Sequence, residues 1–286
     1  VLAPNAKMKA KITIDLLRES LTKLVQQQPE RYTIALAIID EIEEWIMQDI
    51  DYDRFIERDA EFRRKHHNFT EEGFEYSLYI PQSKPLHEDS KDNVYVKREE
   101  FINGKTLTRL TEADGFDKKQ IAALLVKNYF QQIMDGQVHA DVHPGNFMVF
   151  RDTAGKNRVA VIDRNNYIEL NKADKELLFT LQMRAMAGQG GALVPALRNY
   201  IEREQGTVIS DEQATRIQEQ IEQRIQQGKT IQDIAKAITI AFHQEKIRIP
   251  LKITLLIKNF NGLDRIARDA GFNSLQEAFG YNPTQQ

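Results

Sequence analysis

Apolar positions over the first 64 residues recur at helical spacing. Between Lys9 and Leu24 they fall at Ile12, Ile14, Leu16, Leu17, Leu21 and Leu24, and Thr33 to Ile50 continues the pattern around Trp45. From Asp49-Ile50-Asp51-Tyr52-Asp53 a charged segment runs to Arg64, with Phe55, Ile56, Ala60 and Phe62 as its apolar positions, and predicts a further helix. The pattern changes over residues 66–93. Strand candidates at Glu75–Ile80 and Val94–Phe101 flank a polar loop holding Pro81, Pro85 and the run Asp89-Ser90-Lys91-Asp92-Asn93. Asn103-Gly104 predicts a turn, and Asp117–Met134 an amphipathic helix.

Further along, Phe147–Phe150 and Val159–Ile162 are short apolar runs. The polar stretch Arg151–Arg158 between them, with Ala154-Gly155-Lys156, has the composition of a hairpin loop. From Lys172 the chain is helical to its end, punctuated by Gly188–Gly191, Gly206, Gly228, Pro250 and Gly271. Ser210 with Gln213 is a capping box, and Ile217, Ile221 and Ile225 line one face of the helix that follows. No internal repeat is present. The pattern therefore predicts an α+β architecture: a partial mixed lobe over residues 1–103, a linker near residue 103, and a mainly helical lobe over residues 104–286.

Composition narrows the chemistry. The 286 residues carry 28% charged side chains and a net charge of −3, with acids and bases interleaved, so a nucleic-acid partner has no support. No run of about 18 apolar residues predicts a membrane span. The absence of cysteine removes disulfides, thiolate nucleophiles and zinc–thiolate sites, and fits a reducing, cytoplasmic compartment. The chain opens at Val1 without a signal-like segment and has the look of a fragment.

Candidate chemistry concentrates in residues 139–163. If the two apolar runs pair with residue 150 opposite residue 159, Asn146 falls opposite Asp163, about 5 Å across one strand spacing. An amide oxygen and a carboxylate at that separation suit one hard cation such as Mg²⁺. Asp141 lies five residues before Asn146, and Pro144-Gly145 turns the chain between them, so Asp141 is the candidate general base beside the metal pair. His139 is a catalytic-loop candidate whose expected part is to support the loop through a backbone hydrogen bond. Taken singly, each has an ordinary reading: a chance His-x-Asp, a cap or turn asparagine, a turn aspartate after a strand. The joint order, helix, His-x-Asp-x4-Asn, hairpin, Asp, is much rarer and points to phosphoryl transfer.

The segment Ile133-Met-Asp-Gly-Gln-Val-His-Ala-Asp-Val-His-Pro-Gly-Asn146 closely resembles the UbiB/AarF-type atypical kinases, whose loop reads G-x-x-H-A-D-x-H-P-G-N. Val1-Leu-Ala-Pro-Asn5 and Ile14-Asp-Leu-Leu-Arg18 resemble the segment after that family's third N-lobe strand. Asp49-Ile-Asp51 stands where the family has E-x-D, and Glu100-Phe-Ile-Asn-Gly104 resembles its hinge E-F-I-D-G. Ile249-Pro250, Leu255 and Asn261-Gly-Leu-Asp264 resemble its C-terminal helices.

The resemblance implies a bilobal protein-kinase-like fold that binds ATP and Mg²⁺, and a kinase or ATPase supporting isoprenoid-quinone or lipid metabolism at membrane surfaces. It gives Asp141 the catalytic-loop role, Asn146 and Asp163 the metal, Asp49 and Asp51 the E-x-D pair, and Glu100 the adenine-binding hinge. It also implies an isoprenoid-lipid or membrane-surface partner, with peripheral membrane placement.

Three departures bear on activity. The family's D-F-G is Asp163-Arg164-Asn165 here, which loses the aromatic plug and the glycine; Arg164 is expected to bring a cation to the phosphate side, and since asparagine can still adopt a positive φ, the turn need not break at Asn165. Asp49 is one methylene shorter than the family's glutamate. The match begins just after the family's strand lysine, so that lysine, the phosphate loop and the K-x-G-Q segment have no counterpart in these residues. Two alternatives stay open: a catalytically inactive pseudokinase module, and a small-molecule phosphotransferase of the aminoglycoside or choline kinase type. Among other candidates, His66-His67 is expected on a solvated face, Trp45 in packing, and Lys97-Arg98 as a solvated pair.

Overall fold

The computed structural model describes residues 6–27, 52–86, 96–186, 193–225 and 231–285, with Ile39, Glu43 and Ile46 as single positions. In chain order the strands are β1 (Tyr76–Tyr79), β2 (Ser83–Leu86), β3 (Val96–Glu99), β4 (Lys105–Thr106), β5 (Gln137–His139), β6 (Phe147–Arg151), β7 (Asn157–Val161) and β8 (Tyr167–Glu169). The helices are α1 (Ala6–Gln27), α2 (Tyr52–His66), α3 (Lys118–Asp135), α4 (Lys172–Met186), α5 (Leu193–Gln205), α6 (Asp211–Ile225), α7 (Ile231–Gln244), α8 (Leu251–Asp269) and α9 (Leu275–Gly280). Two compact units form. One gathers Val1–Thr70, Glu75–Thr111 and Gly145–Tyr167, and the other Glu71–Phe74, Glu112–Pro144 and Ile168–Gln286.

The first unit is built on a four-stranded sheet of order β1-β7-β6-β4, in which β7 runs parallel to β1 and antiparallel to β6. As an interior strand, β7 carries the consecutive buried run Val159, Ala160 and Val161, where an edge strand with one wet face would alternate. Leu78, Ile80, Val149, Phe55 and Phe62 are buried in the same unit. The chain between β6 and β7 turns in three residues: Asp152 N–H donates to the Lys156 carbonyl (2.9 Å), and Gly155 takes φ 76°. The Asp152 carboxylate also accepts from the backbone of Ala154 (3.0 Å) and Lys156 (2.9 Å).

This tight loop corrects the expected register. Phe150 faces Arg158 and Val149 faces Val159, so the pairing is one residue tighter than 150 opposite 159. The sequence also hid β2, because Pro85 argues for a loop. Among the described residues β2 pairs with β3 alone, Pro85 against Lys97, and an edge strand tolerates the missing N–H. The histidine pair is corrected as well: His66 is fully buried with its ring centroid 4.6 Å from that of Phe62. His67 Nδ1 accepts the N–H of Ile80 (3.1 Å). Trp45 lies outside the described residues.

The second unit is mainly helical. Asp117 caps α3 by accepting from the N–H groups of Lys119 and Gln120, and Gly136 closes it with φ 80°. The expected capping box opens α6: Ser210 Oγ accepts from Gln213 N–H (3.2 Å), and Gln213 Oε1 accepts from Ser210 N–H (3.1 Å). Ile217 and Ile221 are fully buried behind it. Asp174 on α4 is buried and is met by Lys252 of α8 at 2.8 Å and by the Tyr200 hydroxyl of α5, so one carboxylate ties three helices. No helix among the described residues is long and apolar enough to cross a membrane.

Candidate functional site

In the helical unit, β5 delivers the chain to the loop of Asp141. His139 ends that strand and is buried. Its N–H donates to Gln132 Oε1 (3.0 Å), and Gln132 in turn donates to Asn128 Oδ1 (2.6 Å), so two polar residues of α3 hold the loop's entry. The exit is held from α8. Asn259 Nδ2 donates to the His139 carbonyl (2.8 Å), and Asn259 Oδ1 accepts from Val142 N–H (3.0 Å). One buried amide thus spans the backbone on both sides of Asp141. Gly262, one turn further on α8, lets the helix approach closely: a Cβ there would sit 2.0 Å from the Val142 carbonyl oxygen.

The loop is therefore fixed while the Asp141 side chain stays half-exposed, with its Oδ1 2.7 Å from Lys258 Nζ. Sequence reading found Asp141 and missed Lys258 and Asn259. A signal for Asn259 exists: it falls on the buried stripe Ile253, Leu256, Leu263, Ile266, where a polar residue needs a partner. Nothing in the chain singles out Lys258 among its other lysines.

In the sheet-containing unit, the hairpin carries the two proposed metal ligands. Asn146 stands at the start of β6, and its carbonyl accepts from Ile162 N–H (2.9 Å). Because of the corrected register, Asn146 faces residue 162, and Asp163 stands one position beyond that pair. Asp163 is exposed and left-handed at φ 53°, so β7 ends there and the chain turns away. Asn165 Nδ2 donates to Asp163 Oδ1 (3.0 Å). The positive φ falls on Asp163 and not on Asn165.

Arg164 is corrected outright as a phosphate-side cation. It is 1% exposed and aimed into the unit, with Nε 2.7 Å from Asp59 Oδ1 and Nη2 3.1 Å from Asp59 Oδ2. Its remaining donors reach the carbonyls of Val161 (2.5 Å) and Pro81 (2.8 Å) and the hydroxyl of Ser83 (3.3 Å). Tyr167 donates its hydroxyl to the same Asp59 (2.7 Å). Burial disfavours the charge on Arg164, but the hydrogen bond and charge of Asp59 outweigh it and raise its pKa. Burial, reinforced by Asp59, pushes the Tyr167 phenol well above its ordinary value. The position of the aromatic plug is thus filled by a buried ion pair.

Glu100 is exposed. Its carboxylate accepts from the Tyr79 hydroxyl (2.5 Å) and from Gln82 N–H (3.3 Å), and its own N–H is taken by the Gln82 carbonyl (3.1 Å). Its side chain therefore braces the β1–β2 connection. Asp49 and Asp51 lie outside the described residues. The donor set of the hairpin suits magnesium: an amide oxygen at Asn146 and a carboxylate at Asp163 are hard ligands, leaving further positions to phosphate and water. No group of three or more His, Cys, Asp or Glu side chains that could hold a metal ion occurs among the described residues.

Comparison with known proteins identifies the family. The model of the ABC1 atypical kinase-like domain matches residues 1–194. The chain is 39% identical over 110 residues to an ABC1 family protein of Schizosaccharomyces pombe, covering 36% of this chain and 20% of that one. It is 27% identical over 182 residues to a protein described as a probable protein kinase UbiB from Vibrio vulnificus, covering 62% of this chain and 32% of that one. The chain thus spans about a fifth to a third of the length of these relatives. Among solved structures it is similar to the Rio2 kinase-ADP/Mg²⁺-phosphoaspartate complex from Chaetomium thermophilum, at 10% identity and a TM-score of 0.32, over 71% of this chain and 56% of the other. So low a score adds no weight to the assignment. The family model spans more than half of the chain: this protein belongs to the ABC1 atypical kinase-like family, and its α+β fold is protein-kinase-like.

Proposed function

We propose that the chain binds ATP with Mg²⁺ through Asn146 and Asp163, and that Asp141 acts as base in phosphoryl transfer or hydrolysis. The observation that carries this reading is the end of the β6–β7 hairpin, where an exposed, left-handed Asp163 follows the last ladder bond to Asn146. Magnesium, when bound, supplies positive charge that offsets the phosphates. Asp163, oriented by Asn165, and the Asn146 amide oxygen hold it. Asp141 belongs to the same continuous stretch of chain, five residues before Asn146, and its carboxylate accepts the proton of the attacking hydroxyl. The backbone grip of Asn259 keeps that carboxylate oriented without using its oxygens.

The membership of an atypical kinase-like family supports nucleotide binding, as does the description of relatives as probable protein kinases. A role in isoprenoid-quinone or lipid metabolism, with a lipid or membrane-surface partner, extends the proposal and rests on the family resemblance alone. One observation favours a second reading, nucleotide binding without turnover. Arg164 locks the turn after Asp163 where the family keeps a phenylalanine and a flexible glycine.

Thermal-shift titration tests the binding. The expected result is a rise in melting temperature with ATP that requires Mg²⁺ and disappears in Asp163→Asn. Absence of any Mg²⁺-dependent shift sinks the reading. ADP release measured with the same protein then separates turnover from silent binding.

A further inference from the structure

Resting on the assignment of Asp141 just given, we infer that Lys258 of α8 is the cation that meets the terminal phosphate of ATP beside Asp141. The pair is close, at 2.7 Å, yet its side chains are 56% and 42% exposed, so it adds little to stability. Stability therefore does not account for holding a lysine there. Its neighbours are committed to the loop: Asn259 bonds the backbone at residues 139 and 142, and Gly262 lets α8 touch Val142. The residue next to Asn259 is carried along, so the backbone that bears Lys258 is held beside the loop by the same clamp, within reach of Asp141.

The chemistry asks for a charge at this place. An anionic base beside an anionic phosphate repels the group it must serve. An ammonium touching Asp141 offsets that repulsion. It has three N–H donors, of which one meets Asp141, and the others suit phosphate oxygens. A lysine from a helix 117 residues downstream thus supplies the loop with a cation that the loop itself does not carry next to its aspartate.

Isothermal titration of the full chain with Mg·ATP and Mg·ADP tests this. Lys258→Met is expected to weaken ATP binding roughly tenfold, about one charge-assisted hydrogen bond, and to leave ADP binding nearly unchanged. Lys258→Arg is expected to keep most of the preference for ATP. If Lys258→Met binds ATP as the parent does, or loses ATP and ADP equally, the assignment of Lys258 is overturned and the nucleotide site stands. If the parent protein itself shows no Mg²⁺-dependent binding, the nucleotide reading fails, and this inference with it. A melting temperature close to the parent's identifies the loss as one of contact, not of folding.

Discussion

Arg164 Nε lies 2.7 Å from Oδ1 of Asp59, a residue 105 positions earlier, and their side chains are 1% and 3% exposed. The pair joins the middle of α2 to the chain just after Asp163, and the Pro81 carbonyl and Tyr167 hydroxyl add to it. Where kinases of this family use an aromatic ring at this turn, the chain uses a charged network in which each guanidinium nitrogen of Arg164 meets an acceptor. Such a network costs desolvation and returns it only while both partners remain.

Removing one partner should therefore be severe. Arg164→Met leaves the Asp59 carboxylate buried with only Tyr167 to meet it, and is expected to cost about 3–5 kcal/mol. Urea unfolding measures the loss. The double replacement Asp59→Leu with Arg164→Met is expected to recover most of it, since an apolar pair incurs no desolvation cost. A single Arg164→Met variant as stable as the parent would show that the network is not structural.

The clamp on the catalytic loop makes a second prediction. Asn259→Leu keeps the branching at Cγ and removes the bonds to the His139 carbonyl and the Val142 N–H, each at a cost of about 1–3 kcal/mol. Gly262→Ala puts a Cβ 2.0 Å from the Val142 oxygen, so helix or loop must move. Both variants are expected to lower the melting temperature, and any ATP turnover should fall in proportion to loop displacement. Hydrogen exchange at Val142 reads the first effect directly, and unchanged protection there in Asn259→Leu would contradict the clamp.

What the sequence discloses and what it withholds divide by distance along the chain. The capping box of Ser210 and Gln213 and the Asp117 cap are local, each bond spanning three residues or fewer, and both are plain in the letters. The hairpin runs were visible too, but their register was not, because Asp152 and Gly155 close the turn in three residues inside an eight-residue polar stretch. Arg164 misled for the opposite reason. Beside Asp163 in sequence it suggests a phosphate cation, and only the fold brings Asp59 to it. Lys258 and Asn259 escaped notice likewise, since their partners at Asp141 and His139 are 117 and 120 residues away.

His67 gives a pH prediction. Its Nδ1 accepts the Ile80 N–H, an arrangement that needs the neutral ring. Burial, helped by the charge of Arg63, lowers its pKa below the ordinary 6.5. With the folded pKa below the unfolded one, the unfolded chain binds the proton first as pH falls. The contribution is thus complete above about pH 6.5 and is lost as pH drops through the lowered value. Stability measured by urea between pH 5 and pH 8, a range of about three units around that value, should fall on the acid side in the parent. Most of that slope should vanish in His67→Gln. A slope of the same size in both proteins would assign the pH dependence elsewhere.

Asp163 allows charge and backbone to be separated at the proposed metal ligand. Its φ of 53° lies in the region that asparagine and aspartate tolerate and that alanine enters only at about 1–2 kcal/mol. Asp163→Asn therefore keeps the turn and removes only the negative charge, so its melting temperature without nucleotide should match the parent's. Asp163→Ala should lose stability even without nucleotide, because strain is added when the side chain goes. Both should lose the Mg²⁺-dependent part of any ATP-induced shift, since neither offers a carboxylate. The informative comparison is Asp163→Asn: an unaltered apo melting point with a vanished Mg²⁺ response places the function of this residue in its charge. An unaltered response would place the cation elsewhere and leave Asp163 only the making of the turn.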